Sequence, residues 1–285
     1  MLGLSACVSG HVQSDSTVGT TTGDAKTNSA DPAQLLPFEA VLRPSEAGYR
    51  LLDRAVDDLI GGCMKSSGYG YEPYPDRPLT PVLDVRRRYG AISEMEAMAT
   101  GYRSLVPTDG PPGYVAEVDR IDAARSNDGA GYLAALYGPN GDGGCRAEAS
   151  NAVWAAPTGL TSMPGYPELI DLSAESFDRL LVDPDSVASD AAWSACMADR
   201  GYDFRSWTDA PATFLTPGSS VSQPEIDQAT ADVSCRNSAD LLARLFAAET
   251  RIQNEMIDDN FTLVDDFAGR LSAAVDRAKK LEPDQ

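Results

Sequence analysis

Four of the five cysteines in this chain fall into two pairs with matching sequence surroundings. Cys63 and Cys196 each open the pattern C-M-x-x-x-G-Y-x-aromatic, whereas Cys145 and Cys235 are each followed by arginine and, four residues on, by alanine. Each half of the chain therefore holds one cysteine of each kind. Four cysteines permit three disulfide connectivities. The repeat favours Cys63–Cys145 and Cys196–Cys235.

The C-M-x-x-x-G-Y pattern is typical of the end of a helix. Gly68 and Gly201 stand where a chain leaving a helix adopts positive φ, and a tyrosine follows that can pack on the last turn. The cysteine then lies about one turn inside the helix, on its buried face. A reactive thiol is the alternative interpretation. Because no histidine is near either motif to lower the thiol pKa, we favour the structural interpretation.

Helix signals recur between these cysteines. Ser45 is placed to cap a helix that ends at the Gly68 signal, Ser173 to cap a second, and Asp183 with Pro184 to start a third. Prolines cluster between these signals, as in residues 73–81, and remove the amide donors that regular structure needs. We predict a mainly α-helical fold, stapled by disulfides, with loops rich in proline and glycine.

The longest helical signal begins at residues 222–225, where a capping-box spacing encloses a proline. Good helical composition continues to about residue 281, with Gly269 the one interruption. Apolar residues recur at three- and four-residue steps, which predicts one long helix or a hairpin broken near residues 258–260. We expect the apolar stripe to dock on the rest of the fold. The alternative is a coiled coil with an envelope protein partner.

The N-terminal region carries the signal for a membrane anchor. Residues 4–7 read L-S-A-C, a lipobox in which Cys7 would take a diacylglyceryl group. Since only six residues precede Cys7, residues 1–7 are interpreted as the remnant of a signal peptide. Residues 8–37 are rich in Ser, Thr and Gly and poor in large apolar residues, which predicts a disordered tether.

The folded part is expected to have two helical halves, residues 38–160 with the first cysteine pair and residues 161–285 with the second. The proline- and glycine-containing segment 157–167 is the predicted boundary. The two halves form separate domains or one domain, and the sequence leaves this choice open.

Composition excludes several functional classes. The formal net charge of −20 argues against binding to nucleic acid, because phosphates would repel such a chain. The single histidine, His11, lies in the predicted tether, so catalytic triads and polyhistidine metal sites lack their essential residue. No glycine-rich phosphate loop, nucleophile motif or EF-hand spacing occurs in the sequence, and we expect no cofactor and no metal.

Two sequence patterns contain candidate residues for ligand binding or catalysis. Arg86, Arg87, Arg88 and Tyr89 form the one basic cluster of an acidic chain and match the donors that hold a phosphate or carboxylate. Neutralisation of neighbouring acids is the alternative interpretation. Paired acids, the residue type that glycosidases use, are expected on solvated helix faces in so acidic a chain. These pairs are residues 57–58, 258–259 and 265–266.

The repeated motif also carries a family resemblance. Trp193 ahead of the second motif, and residues 231–236 opening the long helical signal, resemble extracytoplasmic lipoproteins of actinobacteria over about residues 40 to 280. An excess of arginine over lysine, 19 to 4, agrees with such a source. The resemblance implies a lipid-anchored protein on the outer face of the cell membrane and brings no activity. We expect a non-enzymatic binding or adaptor protein, with a carboxylate-dependent hydrolase of wall polysaccharide as the alternative.

Overall fold

The computed structural model describes residues 35–78, 84–106, 110–215 and 220–281, and every regular element in these ranges is helical. The predicted mainly α-helical class is therefore confirmed. Two 3-10 turns, Arg103–Leu105 and Gly159–Ser162, accompany the α-helices. The α-helices of the described residues are α1 (Pro37–Leu42), α2 (Glu46–Ser66), α3 (Val85–Arg88), α4 (Glu94–Thr100), α5 (Pro112–Asn127), α6 (Gly129–Tyr137), α7 (Gly144–Trp154), α8 (Tyr166–Leu181), α9 (Pro184–Ala198), α10 (Asp209–Ala212), α11 (Gln223–Ser238), α12 (Leu241–Asp259) and α13 (Phe261–Leu281).

Side-chain caps begin several helices where the sequence signals them. Ser45 accepts a hydrogen bond from Gly48 N at the start of α2, and Asp183 accepts from two first-turn amides of α9. Ser93 and Glu96 form a complete capping box at the start of α4. Each contact satisfies an amide that has no partner inside its helix. Local sequence therefore fixes where these helices begin.

The start of α8 differs from the prediction of an N-cap at Ser173. The helix begins at Tyr166, with Pro167 in its first turn. Proline suits this position because its fixed φ is helical and its missing amide would have no partner there. Ser173 consequently lies inside α8 and is buried.

Both copies of the C-M-x-x-x-G-Y motif end their helices in the same way. Gly68 and Gly201 each have a φ of 86°. In each copy the amide of the following tyrosine donates to the carbonyl of the motif methionine, at 2.9 Å after α2 and 3.0 Å after α9. This is the hydrogen bond that defines a Schellman cap.

Two disulfides join helices. Cys63–Cys145 links α2 to α7 across 82 residues of sequence, and Cys196–Cys235 links α9 to α11 across 39. The Cα atoms are 5.6 Å apart in both bridges. This is the pairing that the repeat favours, and each bridge lies within one half of the chain.

One apolar cluster, the main cluster, joins the two predicted halves. It contains buried side chains from α1 and α2, such as Phe38 and Leu52, together with side chains from α8, α9, α11, α12 and α13, such as Trp193 and Phe267. The 3-10 turn Gly159–Ser162, inside the predicted boundary, packs against both α7 and α8. The halves therefore share a core.

A second cluster lies beside the Cys63–Cys145 disulfide. It packs the C-terminal part of α2 against α6 and α7, and it adjoins the main cluster at Val56 and Leu59, which pack against both. Its buried members are Ile60, Met64, Tyr132, Leu136, Cys145 and Ala149.

The C-terminal region consists of three helices. The predicted break near residues 258–260 is present, because α12 ends at Asp259 and α13 begins at Phe261. A second break separates α11 from α12, where Asp240 adopts a left-handed conformation with φ of 50°. Aspartate tolerates this conformation better than most residues, and neither proline nor glycine marks the position. Gly269, by contrast, lies within α13 without ending it.

The apolar stripe of the C-terminal helices faces the main cluster. Buried members of the stripe are Leu242, Leu245, Ile252, Met256, Phe267, Leu271 and Ala274. The stripe is therefore docked on the fold, as expected, and a partner protein would have to contact other faces of these helices.

The predicted anchor region falls mostly outside the described residues. Cys7, the signal remnant 1–7 and tether residues 8–34 lie there. At the end of the predicted tether, Leu36 is fully buried and Pro37 begins α1, so the packed structure includes these residues. Within the described ranges, no helix has the length and apolar character needed to cross a bilayer.

Candidate binding groove

A groove opens between the end of α7, the segment after the second 3-10 turn, and one face of α13. Its volume is about 480 Å³, within the range of about 300–1,000 Å³ typical of small-molecule sites. We call it the α13 groove. Its lining residues are Trp154, Ala155, Met163, Pro164, Asp265, Asp266, Gly269, Arg270, Ala273 and Arg277.

The apolar wall of the groove comes from the chain reversal after α7. The helix ends at Trp154 because Ala155 is left-handed, with a φ of 56°. Gly159 then adopts a φ of 75°, a backbone conformation that glycine takes without strain. Trp154 and Met163 are only 7% and 1% exposed, so packing holds this wall in place.

The opposite wall is open because α13 carries small residues there. Gly269 and Ala273 are one turn apart and share a face of the helix. No atom lies within 4 Å of the position that a Cβ of Gly269 would occupy. Glycine inside a helix costs about 1 kcal/mol relative to alanine. At this position it leaves space that a larger side chain would fill.

Charged side chains of α13 border the open wall. Arg277 Nε donates to Val153 O at 2.7 Å, which joins α13 to the last turn of α7. Arg270 is exposed and has no ionic partner among the described residues. Asp265 and Asp266 lie about one turn before Arg270. The two positive and two negative charges cancel, so the groove lacks the negative excess of the whole chain.

These features define what the groove can hold. Guanidinium groups match the geometry of carboxylates and phosphates, and Arg270 and Arg277 lie two turns apart, about 10 Å along the axis. The wall that Trp154 and Met163 form is apolar and held in place by packing. The arrangement suits a small anion with an apolar portion.

The predicted basic patch lies elsewhere. The guanidinium of Arg86 pairs with Glu96, and Arg87 Nε lies 3.1 Å from Asp84 Oδ2. Both pairs are at the surface. Acids of the same chain therefore occupy these two arginines, in line with the alternative interpretation of the cluster.

Arg88 and Tyr89 point instead at Glu249, which is fully buried on α12. Arg88 Nε lies 2.9 Å from both carboxylate oxygens, and Tyr89 donates to Oε2 at 2.6 Å. Burial, and then the charge of Glu249, raises the pKa of Tyr89 far above its usual value, so the phenol stays protonated and donates. Ser176 Oγ and Gln253 Nε2 complete the shell at 2.8 and 3.0 Å.

Tyr89 also links this cluster to a buried polar network on α11. Arg236 Nη1 donates to Tyr89 O at 2.6 Å, and its Nε donates to Asp232 at 2.7 Å. Asp232 also accepts from Trp193 Nε1 at 2.7 Å and from Tyr102 at 3.1 Å. The network is enclosed in the core, where a soluble ligand has no access.

The three predicted acid pairs lie on three different helices, α2, α12 and α13. Asp258 and Asp259 are exposed, as expected. Asp57 is half-buried and accepts from Tyr71 at 2.6 Å, and burial raises its pKa. Residues 265 and 266 border the α13 groove. In the described part of the chain, no cluster of three or more acids, cysteines or histidines could hold a metal ion.

The residue pattern of α13 does not reveal the groove. Gly269, Arg270 and Arg277 stand on the polar side of α13, and a polar helix face usually contacts only water. The groove exists because the turn after Trp154 folds over that face.

Comparisons with protein-family models, with curated proteins and with solved structures found no match.

Proposed function

We propose that this protein is a lipid-anchored binding protein of the outer face of the cell membrane, and that its α13 groove binds a small anion with an apolar portion. The observation that carries the proposal is the groove itself. Arg270 and Arg277 line the same groove as the packed side chains of Trp154 and Met163, and Arg277 also binds Val153 O. Carboxylate- or phosphate-bearing ligands with an apolar group fit this combination.

The two disulfides support a location outside the cytoplasm. Disulfides persist mainly outside the cytoplasm, where thiols are not kept reduced. Both bridges join separate helices of the body and leave no unpaired cysteine after residue 34. Cys7 is then available for lipidation, and a lipid with two or three chains gives stable attachment.

Replacing Cys7 by serine should release the protein from the membrane. Expressed behind a complete signal peptide, the Cys7→Ser variant should appear in the culture medium, because no thiol remains to take the lipid. Ser5→Ala is the matched control, since it keeps a small residue before the cysteine and should stay anchored. Immunoblots of membrane and medium fractions measure both. Retention of Cys7→Ser in the membrane would contradict lipidation.

Filling the groove should abolish binding of an aromatic anion. We expect anilinonaphthalene sulfonate to bind the wild-type protein and Gly269→Leu to prevent this, because leucine occupies the open wall. Arg270→Gln should weaken binding about tenfold or more, since a charge-assisted hydrogen bond contributes about 1.5–3 kcal/mol. Fluorescence titration measures both effects.

Two control variants separate the groove from general effects. Gly62→Leu changes another glycine inside a helix. A Cβ built at Gly62 would also have no neighbouring atom within 4 Å. Arg244→Gln removes the same charge from the exposed face of α12. Both should bind the probe like the wild type. Absence of wild-type binding, or binding that neither groove variant weakens, would rule out the groove as an anion site.

The second candidate function is a carboxylate-dependent hydrolase of wall polysaccharide. Its one supporting observation is that Asp265 and Asp266 border the groove. Adjacent helix residues do not face each other, whereas glycosidases place two carboxylates on either side of a sugar bond. Release of reducing sugar from purified wall polysaccharide by the wild type, and its loss in Asp265→Asn with Asp266→Asn, would favour this function.

A further inference from the structure

The two disulfides have the same layout but opposite charges beside them. In each, the cysteine of the C-M-x-x-x-G-Y motif is partly exposed, contrary to the buried position that the motif predicted, and its partner is buried, with Cys235 0% and Cys145 3% exposed. Each motif cysteine lies about one turn before the helix end. The protein therefore contains two matched bridges whose surroundings can be compared directly.

Arg200 lies against the sulfurs of Cys196–Cys235. Its Nη1 is 2.9 Å from Cys235 Sγ and also contacts Cys196 Sγ. Two further hydrogen bonds hold the guanidinium there, from Nη1 to Cys196 O at 3.2 Å and from Nη2 to Ser234 Oγ at 3.0 Å. A positive charge held by hydrogen bonds thus lies beside this disulfide.

The Cys63–Cys145 bridge has the reverse arrangement. Ser67 stands at the position of Arg200 in the first copy of the motif, and its hydroxyl donates to Cys63 O at 3.2 Å. A carboxylate lies beside the sulfur, since Glu148 Oε2 is 3.8 Å from Cys63 Sγ. A negative charge therefore stands beside the first disulfide and a positive charge beside the second.

We propose that Cys196–Cys235 is a thiol–disulfide exchange site, which a dithiol reduces in preference to Cys63–Cys145. Cys196 is the more exposed cysteine of the pair, and its sulfur lies against Arg200 Nη1 and 3.6 Å from Ser238 Oγ. The guanidinium charge of Arg200 attracts an incoming thiolate to this sulfur. Glu148 repels a thiolate that approaches Cys63. This proposal does not depend on the α13 groove.

The exchange proceeds in two steps. A thiolate of the dithiol attacks Cys196 Sγ, forms a mixed disulfide and breaks the bond to Cys235, whose sulfur leaves as a thiolate. The second thiol of the dithiol then displaces Cys196. The dithiol ends as a disulfide, having given two electrons to the cysteine pair, and the two protons it loses to water are taken up by the two cysteines.

Arg200 assists both the approach and the departure. Thiolates, and not thiols, carry out exchange, and a leaving thiol of lower pKa departs faster. The Cys235 thiolate would form within reach of Arg200 Nη1, which stabilises its charge. The reduced pair is therefore stabilised relative to the reduced Cys63–Cys145 pair, which forms beside a carboxylate.

Differential alkylation tests the preference. The folded protein is equilibrated with increasing dithiothreitol, quenched with acid, alkylated and mapped by mass spectrometry. Cys196 and Cys235 should become alkylated at a dithiothreitol concentration about tenfold lower than Cys63 and Cys145. Tenfold corresponds to about 30 mV for a two-electron couple.

The repeat supplies the matched variants. Arg200→Ser introduces the residue of the first copy and should bring the two transitions together, whereas Ser67→Arg should make Cys63–Cys145 easier to reduce. Arg200→Lys should keep most of the preference because it keeps the charge. Far-UV circular dichroism checks that each variant is folded. Equal reduction of both bridges in the wild type, or an undiminished preference in Arg200→Ser, would overturn the proposal.

Discussion

Replacing Glu249 by alanine should cost about 3–5 kcal/mol in the free energy of unfolding, the usual effect of removing one partner of a buried ion pair. Glu249 is fully buried and accepts from Arg88, Tyr89, Ser176 and Gln253. Without the carboxylate, the guanidinium of Arg88 stays in a largely buried position with its charge unpaired. Urea unfolding followed by circular dichroism measures the loss.

Glu255→Ala is the matched control for this effect. Glu255 lies on the same helix, is exposed, and pairs with Arg251 at the surface. Surface pairs contribute at most about 1 kcal/mol. Glu249→Gln should fall between the two alanine variants, because glutamine keeps a carbonyl acceptor but loses the charge. A loss in Glu249→Ala no larger than in Glu255→Ala would contradict a structural role for the network.

The sequence predicts best the features that depend on nearby residues. The helix ends at Gly68 and Gly201, the cap at Ser45 and the start of α9 each rest on groups within a few positions of one another. The break at Asp240 is also local, but an aspartate in the left-handed conformation leaves no distinct sequence signal. Local chemistry therefore gives several helix ends and misses the start of α8 and the junction between α11 and α12.

The polar network and the groove depend on distant residues, and the sequence does not reveal them. From the sequence alone, Arg88 and Tyr89 are predicted to belong to a ligand patch, because their carboxylate partner, Glu249, lies 161 and 160 residues away. The groove likewise joins Trp154 to a face of α13 more than 100 residues later. Periodicity predicts which side of a helix is buried, and it does not predict which distant segment covers the polar side.

The disulfides are long-range contacts that the sequence did indicate, because the repeat reduced three connectivities to one. Their energetic roles differ with their surroundings. Cys196–Cys235 joins helices that are already held by the main cluster. Cys63–Cys145 lies in the second cluster, where α6 and α5 pack mainly on each other and on α7 and α2. The first bridge therefore carries more of the stability of its own region.

Removing Cys63–Cys145 should cost about 4 kcal/mol, since it opens a loop that spans 82 residues in sequence. Because the second cluster has only six buried members, the loss should concentrate there. Hydrogen exchange of the Cys63→Ala, Cys145→Ala double variant should show α5 and α6 losing protection while α12 and α13 keep theirs.

The double variant Cys196→Ala, Cys235→Ala is the control for this localisation. It opens a loop spanning 39 residues, and Cys235 belongs to the main cluster. Loop entropy predicts a loss in the same range, and the shared core should spread it over both halves of the chain. An equal loss of protection in every helix of the Cys63→Ala, Cys145→Ala variant would show instead that α5 and α6 unfold only together with the main cluster.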